Sequence, residues 1–335
     1  MPIRFGSIIE EHNCVRNAVG KFDVSHMGQI YLDGKDAEYL TNKLVSNNVT
    51  RLRDNQAQYA MITDDNGIIL DDTLVYRNSS ESFMFIPNAG HDEEMFLRWA
   101  HFRDKWDLDV TIKNSTNEIA MFAIQGPLAV DSIDALSPDS LSDLKRFTTT
   151  ITTISGITCT VSRTGYTGED GFELLLSSND AVTLWDALDF PPCGLGSRDT
   201  LRTEMGFLLS GQDFNHQTNP RTPFEAGVDF TVDLGQDFIG RDALLELHSK
   251  ELSLNFIGFS LSERSIPRPG SAILNDVGEQ IGVVTSGTLS PTLDLPIGLG
   301  YVPPSYSSIG SSFQVAIRNS FKPATICSTP FINPQ

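Results

Sequence analysis

The sequence has few cysteines, few basic residues and no long apolar run, and each shortage excludes a class of protein. The four cysteines, Cys14, Cys159, Cys193 and Cys327, lie far apart without a C-x-x-C pair. Such spacing is typical of reduced thiols in a cytosolic protein. The formal net charge of −19 argues against nucleic acid or an anionic membrane as partner. No run approaches the roughly 20 apolar residues that span a bilayer, and no apolar signal core is present, so we expect a cytoplasmic protein.

The common catalytic signatures are also missing. The sequence contains no G-x-x-x-x-G-K-[ST], no G-x-G-x-x-G, no H-E-x-x-H and no G-x-S-x-G, which argues against the usual nucleotide-binding, zinc-protease and serine-hydrolase classes. The six histidines and four cysteines are too scattered to predict a metal site. Asp23, Ser25 and His26 are the residue types of a hydrolytic triad, but strand alternation puts His26 on the opposite face.

The elements that can be predicted change character near residue 250. Before it, short helices interleave with many strands, which indicates α+β layers; examples are a strand over 21–32 and a helix over 91–105. The helix carries Met95, Trp99, Phe102 and Trp106 as a core-facing stripe. After it, the segments 254–262, 272–275, 280–285, 297–302 and 313–318 are short and β-like, which predicts a small barrel. We expect one unit over 1–249 and a second over 250–335.

Two adjacent carboxylates, Asp71 and Asp72, lie inside an apolar run that follows a predicted hairpin turn at 65–67. Aspartate is rare inside strands, and a carboxylate removed from water is costly unless it is paired, hydrogen-bonded or protonated. Alternation predicts that only one of them faces inward. Asp72 shares its face with Leu74 and Tyr76, so it is predicted to be the buried one. Two explanations stay open: a functional carboxylate, or one that satisfies nearby backbone N–H groups.

Two further segments suggest a binding site. Residues 162–173 carry three glycines spaced by three and then a strand with Glu173, which indicates a backbone close to a ligand or simply a glycine-rich hairpin. Arg198 lies in the first turn of a predicted helix, where a cation opposes the helix dipole. It either holds an anionic ligand group or pairs with Asp199 or Glu204. Together these residues suit a heteroaromatic ligand with a carboxylate tail.

Eight segments, spread in order over residues 3–331, resemble the T-protein family, the aminomethyltransferases of the glycine cleavage system. They are FDVSHMG (22–28), GIILDD (67–72), IQGP (124–127), SRTGYTGEDGFE (162–173), GLGSRDTLRTE (194–204), GQD (211–213), DFIGRDAL (237–244) and TSGTLSPT (285–292).

The resemblance implies a three-domain cloverleaf of α+β class. Two related, interleaved α+β domains would form a bipartite folate-binding region over 1–249, and 250–335 would be a C-terminal β-barrel. It implies transfer of the one-carbon unit from S-aminomethyldihydrolipoyl H-protein to tetrahydrofolate, giving 5,10-methylenetetrahydrofolate and ammonia, without a metal. Lipoylated H-protein would be a transient partner, beside other glycine cleavage components. The position of the family's catalytic aspartate is Asp72; those of its folate contacts are Tyr59, Leu74, Tyr76, Asn88, Glu173 and Arg198.

Two alternatives remain at this point: a related folate-dependent demethylase or methyltransferase, and a non-catalytic folate-binding scaffold. The intact Asp71-Asp72 pair favours the T-protein, because relatives with other activities commonly alter it. The chain departs from the family in several respects, of which two concern the site. Family members usually carry a further segment before the position of Met1, so we expect either an upstream start or an altered wall of the site. Phe230 stands where a tryptophan is common.

Overall fold

The computed structural model describes residues 1–333 and contains two five-stranded sheets and a closed barrel. The last two residues of the predicted unit 250–335 lie outside the described range. The helices are α1 (Ile8–Asn17), α2 (Ala37–Leu44), α3 (Asp92–Lys105), α4 (Ala129–Asp134), α5 (Ala181–Ala187), α6 (Leu195–Met205) and α7 (Arg241–His248). No helix within residues 1–333 is long and apolar enough to cross a membrane.

The first sheet has the strand order β3-β4-β5-β2-β6. Its strands are β2 (Ile30–Asp33), β3 (Gln56–Thr63), β4 (Ile69–Ser79), β5 (Ser82–Ile86) and β6 (Thr111–Asn114). The predicted stripe of α3 packs here: Trp99 is fully buried, and its ring centroid lies 4.3 Å from that of Phe85. Acidic residues in the first turn of α3 and basic ones in the last turn complement the helix dipole. The helix predicted over 91–105 is therefore confirmed.

The second sheet has the strand order β1-β7-β10-β9-β8. Its strands are β1 (Gly20–Asp23), β7 (Ile119–Gln125), β8 (Thr149–Ile154), β9 (Ile157–Ser162) and β10 (Gly171–Ser177). Phe172 and Leu174 of β10 pack with Leu184 of α5 in its core. A separate apolar cluster lies between the two sheets, where Phe22 meets Tyr76 and Leu201. The two sheets therefore share a buried interface.

The prediction of one strand over 21–32 is wrong, because β1 and β2 belong to different sheets. The Asp23 carboxylate accepts a hydrogen bond from the Ser25 backbone N–H at 3.0 Å, and the Met27 N–H donates to the Val24 carbonyl at 3.0 Å. These bonds turn the chain between the sheets. Alternating hydrophobicity continues through this turn, so the sequence pattern did not mark it.

The barrel has the strand order β11-β14-β13-β12-β15-β16. Its strands are β11 (Asn255–Leu261), β12 (Ala272–Leu274), β13 (Gln280–Ser290), β14 (Leu295–Val302), β15 (Ser312–Ile317) and β16 (Ser320–Cys327). The prediction missed β16, which contains Pro323; a proline lacks the amide donor of a ladder and weakens a strand pattern. The α+β class with a C-terminal barrel is confirmed, while the division after residue 249 stays a prediction.

A buried ion pair ties α6 to the barrel. The Arg202 Nη1 atom donates to Asp213 Oδ2 at 2.7 Å, and the side chains are 1% and 0% exposed. The other oxygen of Asp213 accepts hydrogen bonds from Ser286 at 2.7 Å and Thr285 at 2.5 Å. Both hydroxyls belong to β13, so the pair fixes α6 against the barrel wall.

We predict that Arg202→Met lowers the free energy of unfolding by about 3–5 kcal/mol, because the Asp213 carboxylate would stay buried without its cation. Urea denaturation measures this loss. The matched control is Arg264→Met, which removes an exposed arginine paired with Asp294 and is expected to cost less than about 1 kcal/mol. Equal losses for the two variants would contradict the role given to Arg202.

Candidate active site

One face of the β3–β4 hairpin carries four of the predicted site residues. The antiparallel register puts Tyr59 opposite Leu74, and Met61 opposite Asp72. Opposite residues in an antiparallel pair share a face, and alternation along β4 adds Tyr76 to it. The sequence prediction that Asp72, Leu74 and Tyr76 point the same way agrees with this register.

Asp72 is held by two side-chain donors. The Tyr59 hydroxyl donates to Oδ2 at 2.6 Å, and the Asn88 amide donates to Oδ1 at 2.6 Å. Only 8% of Asp72 is exposed, so its predicted burial is confirmed. Burial, aided by the charge of Asp71, raises the pKa of Asp72 to about 7, although the hydrogen bonds from Tyr59 and Asn88 oppose the rise.

The prediction that only one aspartate faces inward is wrong, because Asp71 is 0% exposed. Both faces of β4 are covered, so alternation along the strand does not bring either residue to solvent. Asp71 accepts hydrogen bonds from the Asn88 backbone N–H at 2.9 Å and from the Ser210 hydroxyl at 2.8 Å. The backbone-satisfying role considered for Asp72 therefore belongs to Asp71, whereas both donors to Asp72 within residues 1–333 are side chains.

Glu173 lies on the second sheet, and the Thr164 hydroxyl links it to Tyr76 of the first sheet. The Thr164 hydroxyl donates to Glu173 Oε2 at 2.5 Å, and Tyr76 OH lies 3.4 Å from the same Thr164 oxygen. Glu173 is only 4% exposed. Burial raises the pKa of Glu173, against the hydrogen bond from Thr164 and the charge of Arg198. The second sheet thus contributes a buried carboxyl group beside Tyr76.

Arg198 makes neither of the ion pairs considered from the sequence. Asp199 pairs with Arg202, and Glu204 pairs with Arg16. The Arg198 guanidinium instead lies 4.7 Å from the centroid of the Tyr166 ring. Its buried Nη1 atom has no hydrogen-bond partner among residues 1–333. Burial lowers the pKa of Arg198, and the open donor is available to a bound acceptor.

The structure adds Tyr166 and Phe230 to the site. The Tyr166 hydroxyl donates to the Leu208 carbonyl, and the Tyr166 ring lies against the Arg198 guanidinium. Phe230 stacks on Tyr59 with ring centroids 6.4 Å apart. Tyr166 lies inside the glycine-rich segment 162–173, where the glycines and Glu173 were the sequence signals and Tyr166 carried none of its own. The aromatic position at 230 was a signal available in the sequence.

Taken together, these residues combine carboxyl groups, aromatic faces and one arginine with an open donor. Asp72 has a proton affinity suited to proton transfer near neutral pH. Glu173 can accept hydrogen bonds from N–H groups of a ligand, and Arg198 can donate to its oxygens. A cavity of about 360 Å³ lies elsewhere, lined by Phe22 and Trp185 among others, and contains none of the predicted site residues. The candidate site is therefore identified by the chemistry of its side chains and not by this cavity.

Known proteins resemble this chain over its whole length. The family described as "GCVT N-terminal domain" matches residues 1–236, and the "Glycine cleavage T-protein C-terminal barrel domain" matches residues 255–333. A probable aminomethyltransferase of Halobacterium salinarum is 50% identical, with 99% of this chain and 93% of that protein covered. The aminomethyltransferase of Halothermothrix orenii is 42% identical, with the same coverage of 99% and 93%.

A solved structure agrees with these sequence matches. The glycine cleavage system aminomethyltransferase T of Bartonella henselae superposes with a TM-score of 0.93 at 28% sequence identity. The match covers 100% of this chain and 92% of that one. The family resemblance noted in the sequence is confirmed: this chain belongs to the glycine cleavage T-protein family of aminomethyltransferases.

Proposed function

We propose that this chain transfers the one-carbon unit from S-aminomethyldihydrolipoyl H-protein to tetrahydrofolate. The products are 5,10-methylenetetrahydrofolate, ammonia and dihydrolipoyl H-protein. The observation that carries the proposal is the buried Asp72 carboxyl group, held by Tyr59 and Asn88. It shares its face with Tyr76, which lies beside Thr164, the donor to Glu173. Family membership supports the same reaction over a demethylase or a non-catalytic scaffold.

In this proposal Asp72 handles protons during the transfer. The carbon loses its bonds to sulfur and to the amine nitrogen and gains bonds to N5 and N10 of tetrahydrofolate. Two folate N–H protons are released; one ends on the lipoyl sulfur and the other on the departing ammonia. A carboxyl group with a pKa of about 7 accepts and returns a proton readily near neutral pH. It also stabilises positive charge that develops on the reacting nitrogen and carbon atoms.

The remaining predicted residues would bind the folate. Glu173 suits the N–H groups of the amino-pyrimidinone edge, because a carboxyl oxygen accepts from such donors. Arg198 offers its open Nη1 donor to a folate oxygen. Leu74 and Tyr76 supply apolar contact beside Tyr59, and Asn88 orients Asp72. Since burial raises the pKa of Tyr59 far above its ordinary value, its hydroxyl stays protonated and keeps donating.

We further propose that residues 1–249 form the folate-binding region and that 250–335 is a separate barrel unit. The hydrogen bonds that Thr285 and Ser286 of the barrel donate to the buried Asp213 carboxylate support a fixed arrangement of the two. Lipoylated H-protein is the transient partner in this proposal, within a set of other glycine cleavage components.

One reaction mixture tests the proposal. Purified protein is mixed with aminomethylated H-protein, with and without tetrahydrofolate, and ammonia is measured. We expect ammonia release that depends on tetrahydrofolate. Tetrahydrofolate binding without release would instead support the scaffold alternative.

We predict that Asp72→Asn lowers turnover by about 10²–10⁴-fold while the tetrahydrofolate dissociation constant changes little. The amide keeps the shape of the carboxyl group but cannot accept and return the proton. Steady-state ammonia release and equilibrium folate binding measure the two quantities.

The matched control for this variant is Asp65→Asn, at an exposed position in the turn of the same hairpin, which is expected to retain wild-type turnover. Ammonia release at the wild-type rate from Asp72→Asn would show that Asp72 does not carry the reaction.

A stability measurement gives an independent prediction. The pKa of Asp72 is raised from 3.8, the ordinary value expected in the unfolded chain, to about 7 in the folded protein. The stabilisation that the protonated carboxyl group contributes is therefore complete below the unfolded-state pKa and is lost as pH rises through the folded-state pKa. We predict that the stability of Asp72→Asn relative to wild type rises between about pH 4 and 7 and levels off above. The total gain is about 4 kcal/mol, because each pKa unit of the shift contributes roughly 1.4 kcal/mol. Urea denaturation at several pH values checks this trend, and a gain that is the same at all pH values would contradict it.

A further inference from the structure

The buried Asp71 carboxylate is contacted by polar groups from two segments of the chain, the one between β5 and α3 and the one after α6. On Oδ1 it accepts hydrogen bonds from the Asn88 amide at 2.9 Å and the Ser210 hydroxyl at 2.8 Å. On Oδ2 it accepts one from the Asn88 backbone N–H at 2.9 Å. The ring atom Nδ1 of His91 lies 3.1 Å from Oδ1. The Asp71 carboxyl oxygens are the acceptors in all three hydrogen bonds, and the His91 ring lies beside Oδ1.

His91 connects this buried charge to solvent. It directly precedes α3, and its side chain is 28% exposed while that of Asp71 is 0% exposed. Its Nδ1 atom makes no in-line hydrogen bond within residues 1–333, and its contact with Asp71 becomes an ion pair when the imidazole is protonated. The charged groups that face it are Asp71 and Asp72 on β4 and Glu94 on α3. All are acidic, and Asp71 chiefly raises the pKa of His91, with burial opposing the rise.

The charge state of His91 affects the ionisation of Asp72 through Asp71. The Asn88 amide nitrogen donates to Asp71 Oδ1 at 2.9 Å and to Asp72 Oδ1 at 2.6 Å. It therefore holds the two carboxyl groups close to each other, and the charge of Asp71 adds to burial in disfavouring ionised Asp72. A cation on His91 offsets the charge of Asp71, whereas a neutral imidazole leaves that charge unopposed.

We propose that His91 is a positioning residue for the transfer reaction, because its imidazolium offsets the charge of Asp71 and so keeps Asp72 available as a proton acceptor at lower pH. The role rests on the proposed function of Asp72. No proton passes between His91 and Asp72 in this scheme. His91 acts only through its charge, while Ser210 and Asn88 hold Asp71 in place.

The test replaces His91 by glutamine, which stays polar but cannot carry the charge. For His91→Gln we expect the acid limb of the pH profile of kcat/KM to move upward by about half a pKa unit or more, with folate affinity unchanged. His91→Arg supplies a permanent cation and is expected to restore the position of the limb. The matched control is His101→Gln at an exposed position of α3, which is expected to leave the limb in place.

A second measurement needs no substrate. Carboxyl ¹³C NMR of aspartate-labelled protein follows the titration of Asp72, whose resonance is identified by its absence from Asp72→Asn. The same upward shift is expected in His91→Gln, and its reversal in His91→Arg. If the wild-type protein releases no ammonia, the proposed function fails, but this titration still decides the role of His91. The proposal is overturned if His91→Gln leaves the Asp72 titration unmoved, or lowers the rate equally at every pH without rescue by arginine.

Discussion

The Asn88 amide group, placed between two buried carboxyl groups, is the interaction on which the site depends. Two adjacent aspartates inside a sheet would repel each other and lose hydration, which is unfavourable for folding. Asn88 donates to both, while Tyr59 completes Asp72 and Ser210 completes Asp71. The two residues consequently serve different purposes. The Asp71 carboxyl group orders its neighbours, whereas burial raises the pKa of Asp72 to about 7.

The rest of the fold keeps this arrangement in register. Helix α6 carries Arg198 toward the site in its first turn and Arg202 toward the barrel a turn later. Arg202 donates a hydrogen bond to Asp213, and Ser210, from the same chain segment as Asp213, donates one to Asp71. Through Asp213 the barrel therefore indirectly fixes the positions of Arg198 and Asp71. A barrel without any predicted site residue therefore still contributes to the geometry around Asp72.

Much of the fold could be predicted, but the charge relations of the site could not. The alternation along β4 correctly predicts which side chains accompany Asp72, yet it cannot show that the opposite face is also covered, so it missed the burial of Asp71. The sequence left Arg198 between a ligand and a surface ion pair. The competing partner of Glu204, Arg16, comes from a distant segment, whereas that of Asp199, Arg202, lies one turn further along the same helix. His91 has no sequence signal at all. Its position relative to Asp71 depends on how α3 packs after the β5 strand.

The measurement that tests the central claim most directly is a crystal structure of the protein with tetrahydrofolate bound. We expect a folate ring nitrogen to lie within hydrogen-bonding reach of the Asp72 carboxyl group, about 2.6–3.2 Å directly or through one water. We also expect that Glu173 contacts the amino-pyrimidinone edge and that Asn88 still bridges the two aspartates. Folate bound elsewhere, for example in the cavity beside Trp185, with Asp72 out of contact, would contradict the account.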